Sequence, residues 1–279
     1  MKVWKQSILR TPVIGPIALF GYRAKFAASY FRKPLATLVR WLFESNETTN
    51  FTYDLTVDSK RYMASMLALV LKSDYFTVLN YMDEAENDLE LKAHIVATTA
   101  TSPLATFADR EVRFGRRLGW YAVVRVLKPA VVIETGVDKG LGSCLLSAAL
   151  LRNRSDGFEG RYYGTDINPH AGYLLTGEYA AVGEIRYGDS IETLASFESE
   201  IDLFINDSDH SADYEAAEYE MIANKLSERA LVLGDNSHVT DKLLQFSLKH
   251  DRRFFYFAEA PEGHWYPGGG IGISFPEKT

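Results

Sequence analysis

The sequence predicts an α/β protein: a mostly parallel seven-stranded sheet with helices on both faces, preceded by a helical extension. Three observations predict it. Short apolar runs alternate with helical stretches after Pro129, several of those runs end in glycine or an acidic residue, and the part before them shows helical periodicity. The 279 residues are 47% hydrophobic, with a mean hydropathy of -0.13, which fits a soluble chain with a real core and excludes disordered and low-complexity classes.

In the first third, Met63, Met66, Leu67, Val70 and Leu71 recur at helical spacing, with Asp58 as the expected cap. Residues 98–106, rich in Thr, Ser and Pro, read as a loop. Asp109 is expected to open another helix carrying Phe114, Leu118, Tyr121 and Val124 on one face, ended by Lys128 and Pro129. Strands are expected at 130–133, 161–164, 184–187, 201–205, 230–233, 253–258 and 270–275. The helices between them fall near 141–152, 170–180, 190–198, 212–226 and 239–249. The boundary between the N-terminal extension (1–108) and the sheet domain (109–279) is placed before Asp109.

Charge divides the chain differently. Residues 1–43 hold eight Lys or Arg and no acid, whereas the remainder holds 22 basic and 37 acidic residues. The acidic body argues against a nucleic-acid partner. The basic, aromatic stretch 22–43 is read either as a helix packed on the acidic body or on a second subunit of a homo-oligomer, or as a peripheral membrane contact. Gly15 and Pro16 interrupt the apolar run 12–20, which is too short to span a bilayer, and Arg23 and Lys25 stand where a signal cleavage site would be. One cysteine, Cys144, excludes an internal disulfide and favours a reducing, cytoplasmic location.

Ligands of open parallel sheets bind at the carboxyl ends of the strands. The first strand runs into Glu134, Gly136, Gly140 and Ser143, where glycines admit a close backbone approach, Glu134 offers a carboxylate to a cationic group, and a helix N-terminus follows. The second ends in Asp166, placed for both hydroxyls of a ribose. Asp189 and Ser190 follow the third, placed either for an adenine edge or as a helix cap. The fourth and fifth end in Asp207 and in Asp235-Asn236, three hard oxygen donors on neighbouring strands suited to Mg2+. His210, three residues past Asp207, is a candidate general base. The loop 262–267, with Trp265, is either a cover for the pocket or an anchored edge loop.

This order of motifs resembles the class I S-adenosylmethionine-dependent methyltransferases over about residues 110 to 275. The Asp-Ser-Asp-His run at 207–210 and the Gly-Asp-Asn run at 234–236 resemble the metal-dependent O-methyltransferases, including the catechol and caffeoyl-CoA enzymes and, more closely, the macrocin-type enzymes. The resemblance implies a Rossmann-like methyltransferase fold with a hairpin-like strand pair at its edge. It implies that Glu134, Gly136, Gly140 and Ser143 hold the methionine end of S-adenosylmethionine, Asp166 its ribose, and Asp189 with Ser190 its adenine. Asp207 would serve both cofactor and metal, Asp235 and Asn236 the metal, and His210 the chemistry. A histidine rather than a lysine at 210 points to a sugar-like or polyketide hydroxyl as acceptor. The glycine loop departs from the commonest Glu-x-Gly-x-Gly-x-Gly form, and the first 100 residues carry no resemblance. A nicotinamide-dependent oxidoreductase would share the sheet, but the Gly-x-Gly-x-x-Gly spacing is absent and the paired acidic clusters go unexplained. A non-catalytic binding protein on the same fold is the other alternative.

Overall fold

The computed structural model describes residues 11–49, 51–209 and 211–277. The described residues divide into two compact units, one within 11–45 and 263–266 and the other within 46–262 and 267–277. The larger unit holds the sheet, whose strands are β1 (Val131–Thr135), β2 (Arg161–Asp166), β3 (Gly183–Tyr187), β4 (Ile201–Asn206), β5 (Leu226–Gly234), β6 (Arg252–Phe257) and β7 (Ile271–Pro276). Their spatial order is β3-β2-β1-β4-β5-β7-β6; the first five run parallel and β7 lies antiparallel to both β5 and β6. The expected terminal hairpin is therefore present, and the order reverses between β1 and β4, which opens a ligand crevice at the strand tips.

The smaller unit consists of α1 (Ile14–Glu44) and the loop at 263–266. Within it Trp265 and His264 pack edge-on against Trp41, with ring centroids 5.4 and 5.9 Å away, and Arg40 donates to the Gly263 carbonyl at 3.4 Å. The expected aromatic loop is thus an anchored one.

In the larger unit the helices are α2 (Val57–Val70), α3 (Tyr75–Glu86), α4 (Leu89–Ala100), α5 (Arg117–Leu127), α6 (Leu141–Ser155), α7 (Ser190–Ala195), α8 (Ala212–Ile222) and α9 (Lys242–Lys249). The central strands are buried on both faces, and their sequences (Val-Val-Ile in β1, Leu-Phe-Ile in β4) are accordingly continuous apolar runs rather than alternating ones. Ile133, Phe204 and Val232 meet Tyr219 and Ile222 of α8 and Phe246 of α9 in one core cluster. Among the helices, Gly119 of α5 lets α2 come close: a Cβ there would meet Met63 Sδ at 2.5 Å. Arg125 ties three helices together, donating to Glu84 of α3 and to Asn153 and Asp156 at the end of α6.

Four local expectations need correction. Thr56, not Asp58, caps α2 by accepting from the Ser59 amide; Asp58 sits in the first turn, where it complements the helix dipole. The helix expected from Asp109 begins only at Arg117, because Gly115 adopts a left-handed φ of 51°. Residues 170–180 form turns rather than a helix, since Gly172 and Gly177 both take positive φ. The helix expected from 239 starts at Lys242, after a 3-10 turn at Asp235–His238.

Candidate active site

A cavity of about 460 Å³ opens at the carboxyl ends of β1, β2, β3 and β4. Its wall includes Glu134, Gly136, Asp166, Asp189, Ser190 and Asp207, six of the residues singled out from sequence.

At the β1 tip the glycine loop is shaped as much by its neighbours as by any ligand. Gly136 has φ 80°, and a Cβ on it would meet the Asp207 carbonyl at 2.0 Å, so only glycine lets β1 and β4 run out side by side. Gly140, φ 91°, opens α6 and packs its Cα side against Gly172; it is not on the cavity wall. Gly142 lies over the Glu134 carboxylate, which a Cβ would strike at 2.2 Å.

Glu134 is 2% exposed, with Tyr162 donating to its Oε2 at 2.5 Å and Ser143 at 3.4 Å. Ser143 also hydrogen-bonds the Tyr162 hydroxyl at 2.7 Å and is fully buried, so it reaches the cavity only through Glu134. Burial raises the Glu134 pKa to about 7, against the lowering effects of the Tyr162 hydrogen bond, Arg117 and Ser143. A carboxyl poised near neutrality at the cavity wall would ionise when a cationic ligand arrives.

Asp166 has a second task. Its Oδ2 accepts from the amides of Val137 and Asp138 at 3.1 and 3.0 Å, and its Oδ1 from Asn168 at 2.8 Å. A carboxylate has about four acceptor positions, so roughly one remains for a hydroxyl rather than the two expected. Asp189 caps α7 through the Glu192 amide and accepts from the Tyr214 hydroxyl at 3.1 Å; of the two readings offered for it, the cap is observed. Ser190 donates to Glu218 and is 2.8 Å from the Tyr214 hydroxyl. Glu218, on α8, is fully buried beneath this end of the cavity and also receives Thr135, Asn206 and Ser208. Nothing in its helix marked it as anything but a surface acid.

The register pairs Asn206 with Gly234, which brings the next residues, Asp207 and Asp235, side by side. Burial and the neighbouring Asp235 charge push the Asp207 carboxyl well above its ordinary value. The Asp235 carboxyl is held below its ordinary value: burial opposes this, but Arg116, Arg117 and a hydrogen bond from Asp207 outweigh it. Of the two carboxyls, Asp207 is the harder to ionise and Asp235 the easier. Arg116 Nε donates to Asp235 Oδ1 at 2.5 Å, and Arg117 lies 3.7 Å from Asp207. Arg116 is further held by the Tyr53 hydroxyl at 3.0 Å and lies 3.5 Å from Glu259, which in turn accepts from Tyr53 at 2.8 Å and from the Gly270 amide at 3.0 Å.

Asp207 is the member of the expected metal set that faces the cavity; Asp235 and Asn236 lie buried behind it. Asn236 is completely buried, and neither Oδ1 nor Nδ2 has a hydrogen-bond partner. Among the described residues no group of three His, Cys, Asp or Glu side chains is arranged to hold a metal ion. The expected set is of another kind, two carboxylates and an amide. His210, the expected base, lies outside the described residues.

Sequence reasoning missed Arg116, Arg117, Tyr53 and Glu259. The one available signal was the Arg116-Arg117 pair itself, two adjacent cations at the start of a mostly apolar helix.

Strand order and crevice together define a class I, Rossmann-like methyltransferase fold. Residues 133–237 match the family model described as a methyltransferase domain. No curated protein matches the sequence. Solved structures similar to it include a methyltransferase from Geobacter sulfurreducens (18% identity, TM-score 0.49, covering 66% of this chain and 90% of that one). A second is a methyltransferase from Podospora anserina with SAH bound (13%, TM-score 0.49, 82% and 100%). A third is an O-methyltransferase of tomaymycin synthesis from Streptomyces achromogenes in complex with SAM (14%, TM-score 0.46, 68% and 90%).

Proposed function

We propose that the chain transfers the methyl group of S-adenosylmethionine to a hydroxyl oxygen of a small molecule, of the sugar, glycoside or polyketide kind. The observation that carries the reading is the cavity wall itself. It sets Glu134, Asp166 and Asp207 on one crevice, carboxyl groups suited to a cationic nucleotide at one end and to an acceptor hydroxyl at the other.

In this reading Glu134 ionises to hold the ammonium of the cofactor's amino-acid end, and the remaining acceptor position of Asp166 takes a ribose hydroxyl. Asp189 and Ser190 border the adenine end. Methyl transfer is an in-line displacement on the sulfonium carbon, so alignment of the acceptor oxygen is a major part of the rate. His210 takes the acceptor's proton as the new bond to carbon forms and the bond to sulfur breaks.

The donor set fits Mg2+ chemically. Asp207 and Asp235 stand at adjacent strand tips as two carboxyl donors, and the partnerless Asn236 Oδ1 supplies a third oxygen. Bound there by Asp207, Asp235 and Asn236, Mg2+ would supply Lewis acidity that lowers the acceptor hydroxyl's pKa. Arg116 and Arg117 already offset much of the negative charge, so metal binding is expected to be weak and reversible by chelation. Exhaustive chelation should depress turnover and added Mg2+ restore it; full activity in metal-free protein would remove Mg2+ from the account.

His210→Ala tests the base directly. Turnover should fall by roughly 10²- to 10⁴-fold while S-adenosylmethionine affinity is kept. Unchanged turnover would mean that another group, or water, takes the proton.

A further inference from the structure

Helix α1 exposes far more apolar surface than a solvated helix carries. Phe20 is 73% exposed, Ile17 69% and Phe31 62%, although all three lie inside a 31-residue helix. At about 100° per residue, Ile17, Phe20, Phe31, Leu35 and Leu42 fall in one sector that contains no charged side chain. Arg23 borders that sector on one side, and Lys25 with Arg32 on the other. Lys33 and Arg40 complete five basic residues in the helix, against one acid, Glu44, which already faces Arg40 at 3.8 Å.

We propose that α1 lies flat on an anionic lipid surface, its apolar sector sunk among the acyl chains and its bordering arginines and lysine on the headgroup phosphates. Charge argues against a second copy of this helix as the occupant. Pairing with the same helix of a second copy would align two sets of five basic residues with one acid each, and like charges beside a desolvated seam oppose assembly. Anionic headgroups complement every one of those residues, each adding to the attraction. Among the described residues no helix is long and apolar enough to cross a membrane, so an orientation along the surface remains for this one.

The test is sedimentation of the full chain with vesicles of mixed phosphatidylglycerol and phosphatidylcholine, and with vesicles of phosphatidylcholine alone. The chain should pellet with the anionic vesicles, at least about tenfold more strongly than with the neutral ones, and be released by salt. Replacing Arg23, Lys25 and Arg32 together by Gln should lower anionic-vesicle affinity roughly a hundredfold. Phe20→Ser with Phe31→Ser should abolish binding in low salt as well. Thermal melting of each variant at the wild-type temperature shows that the larger unit still folds. Failure to pellet with anionic vesicles overturns the proposal, as does equal binding to both kinds. A concentration-dependent dimer that the two Phe→Ser changes dissolve would overturn it in favour of self-association.

Discussion

Two buried carboxyl clusters lie at neighbouring strand tips, and they handle the same desolvation penalty in opposite ways. Around Glu134 the compensation comes from neutral hydroxyls, Tyr162 and Ser143, with Arg117 acting at longer range, and the carboxyl is left titrating near 7. Around Asp235 it comes from the Arg116 guanidinium in direct contact, with Arg117 beside Asp207, and the Asp235 carboxyl is held below its ordinary value while that of Asp207 is pushed above it. The difference teaches that hydroxyl donors make a responsive site and arginines make a fixed one. A responsive carboxyl suits the part of the crevice that must ionise to accept a cationic cofactor group. A fixed charge suits the part that must hold an acceptor in register.

Breaking the fixed cluster should have the largest effect on the fold. Arg116→Met removes the cation from a buried pair and leaves Asp235 uncompensated, so denaturant unfolding should show a loss of about 3–5 kcal/mol. A loss within error would mean that water, not Arg116, solvates Asp235.

The responsive cluster predicts a pH signature. The folded pKa of Glu134, about 7, lies above its ordinary value of 4.5, so the native state favours the protonated form. Its contribution to stability is full below about 4.5, is lost as pH rises through about 7, and amounts to ~3 kcal/mol over that window. Cofactor affinity should run the other way, weakening up to about tenfold per pH unit below 7 as Glu134 protonates. Glu134→Gln should flatten both profiles. Parallel profiles in the variant and the wild type would assign the titration to another group.

Tyr162→Phe sharpens the same comparison with the smallest change. It removes one hydroxyl donor from Glu134, which should cost about 1–2 kcal/mol of stability and move the midpoint of the cofactor-affinity profile to higher pH. An unmoved midpoint would show that Tyr162 packs without setting the charge.

The strand tips were legible in the sequence because they combine two local signals, an apolar run and a polar or glycine terminus. Glu134, Asp166 and Asp207 were all found that way, and they line one cavity. Residues whose meaning depends on distant partners were not legible. Arg116 meets Asp235 across 119 positions, and Tyr53 meets Glu259 across 206. Glu218 looked like a surface acid because helix α8 is rich in acids, and only the fold turns it under β1 and β4. The false helix at 170–180 has the same root. Its apolar content was visible, but the left-handed conformations of Gly172 and Gly177 are set by packing, Gly172 against Gly140 and Ile185. For Asp166 the position was legible but not the occupancy, since its hold on the Val137 and Asp138 amides emerges only when the loop is folded.

The central claim is that the crevice at Glu134 and Asp166 receives S-adenosylmethionine. Calorimetric titration of the full chain with S-adenosylmethionine, repeated on Asp166→Ala and with NAD in place of the nucleotide, tests it most directly. The account predicts one saturable site per chain for S-adenosylmethionine, at least about tenfold weaker in the variant, and no binding of NAD. Binding of NAD, or S-adenosylmethionine affinity untouched by Asp166→Ala, would contradict it.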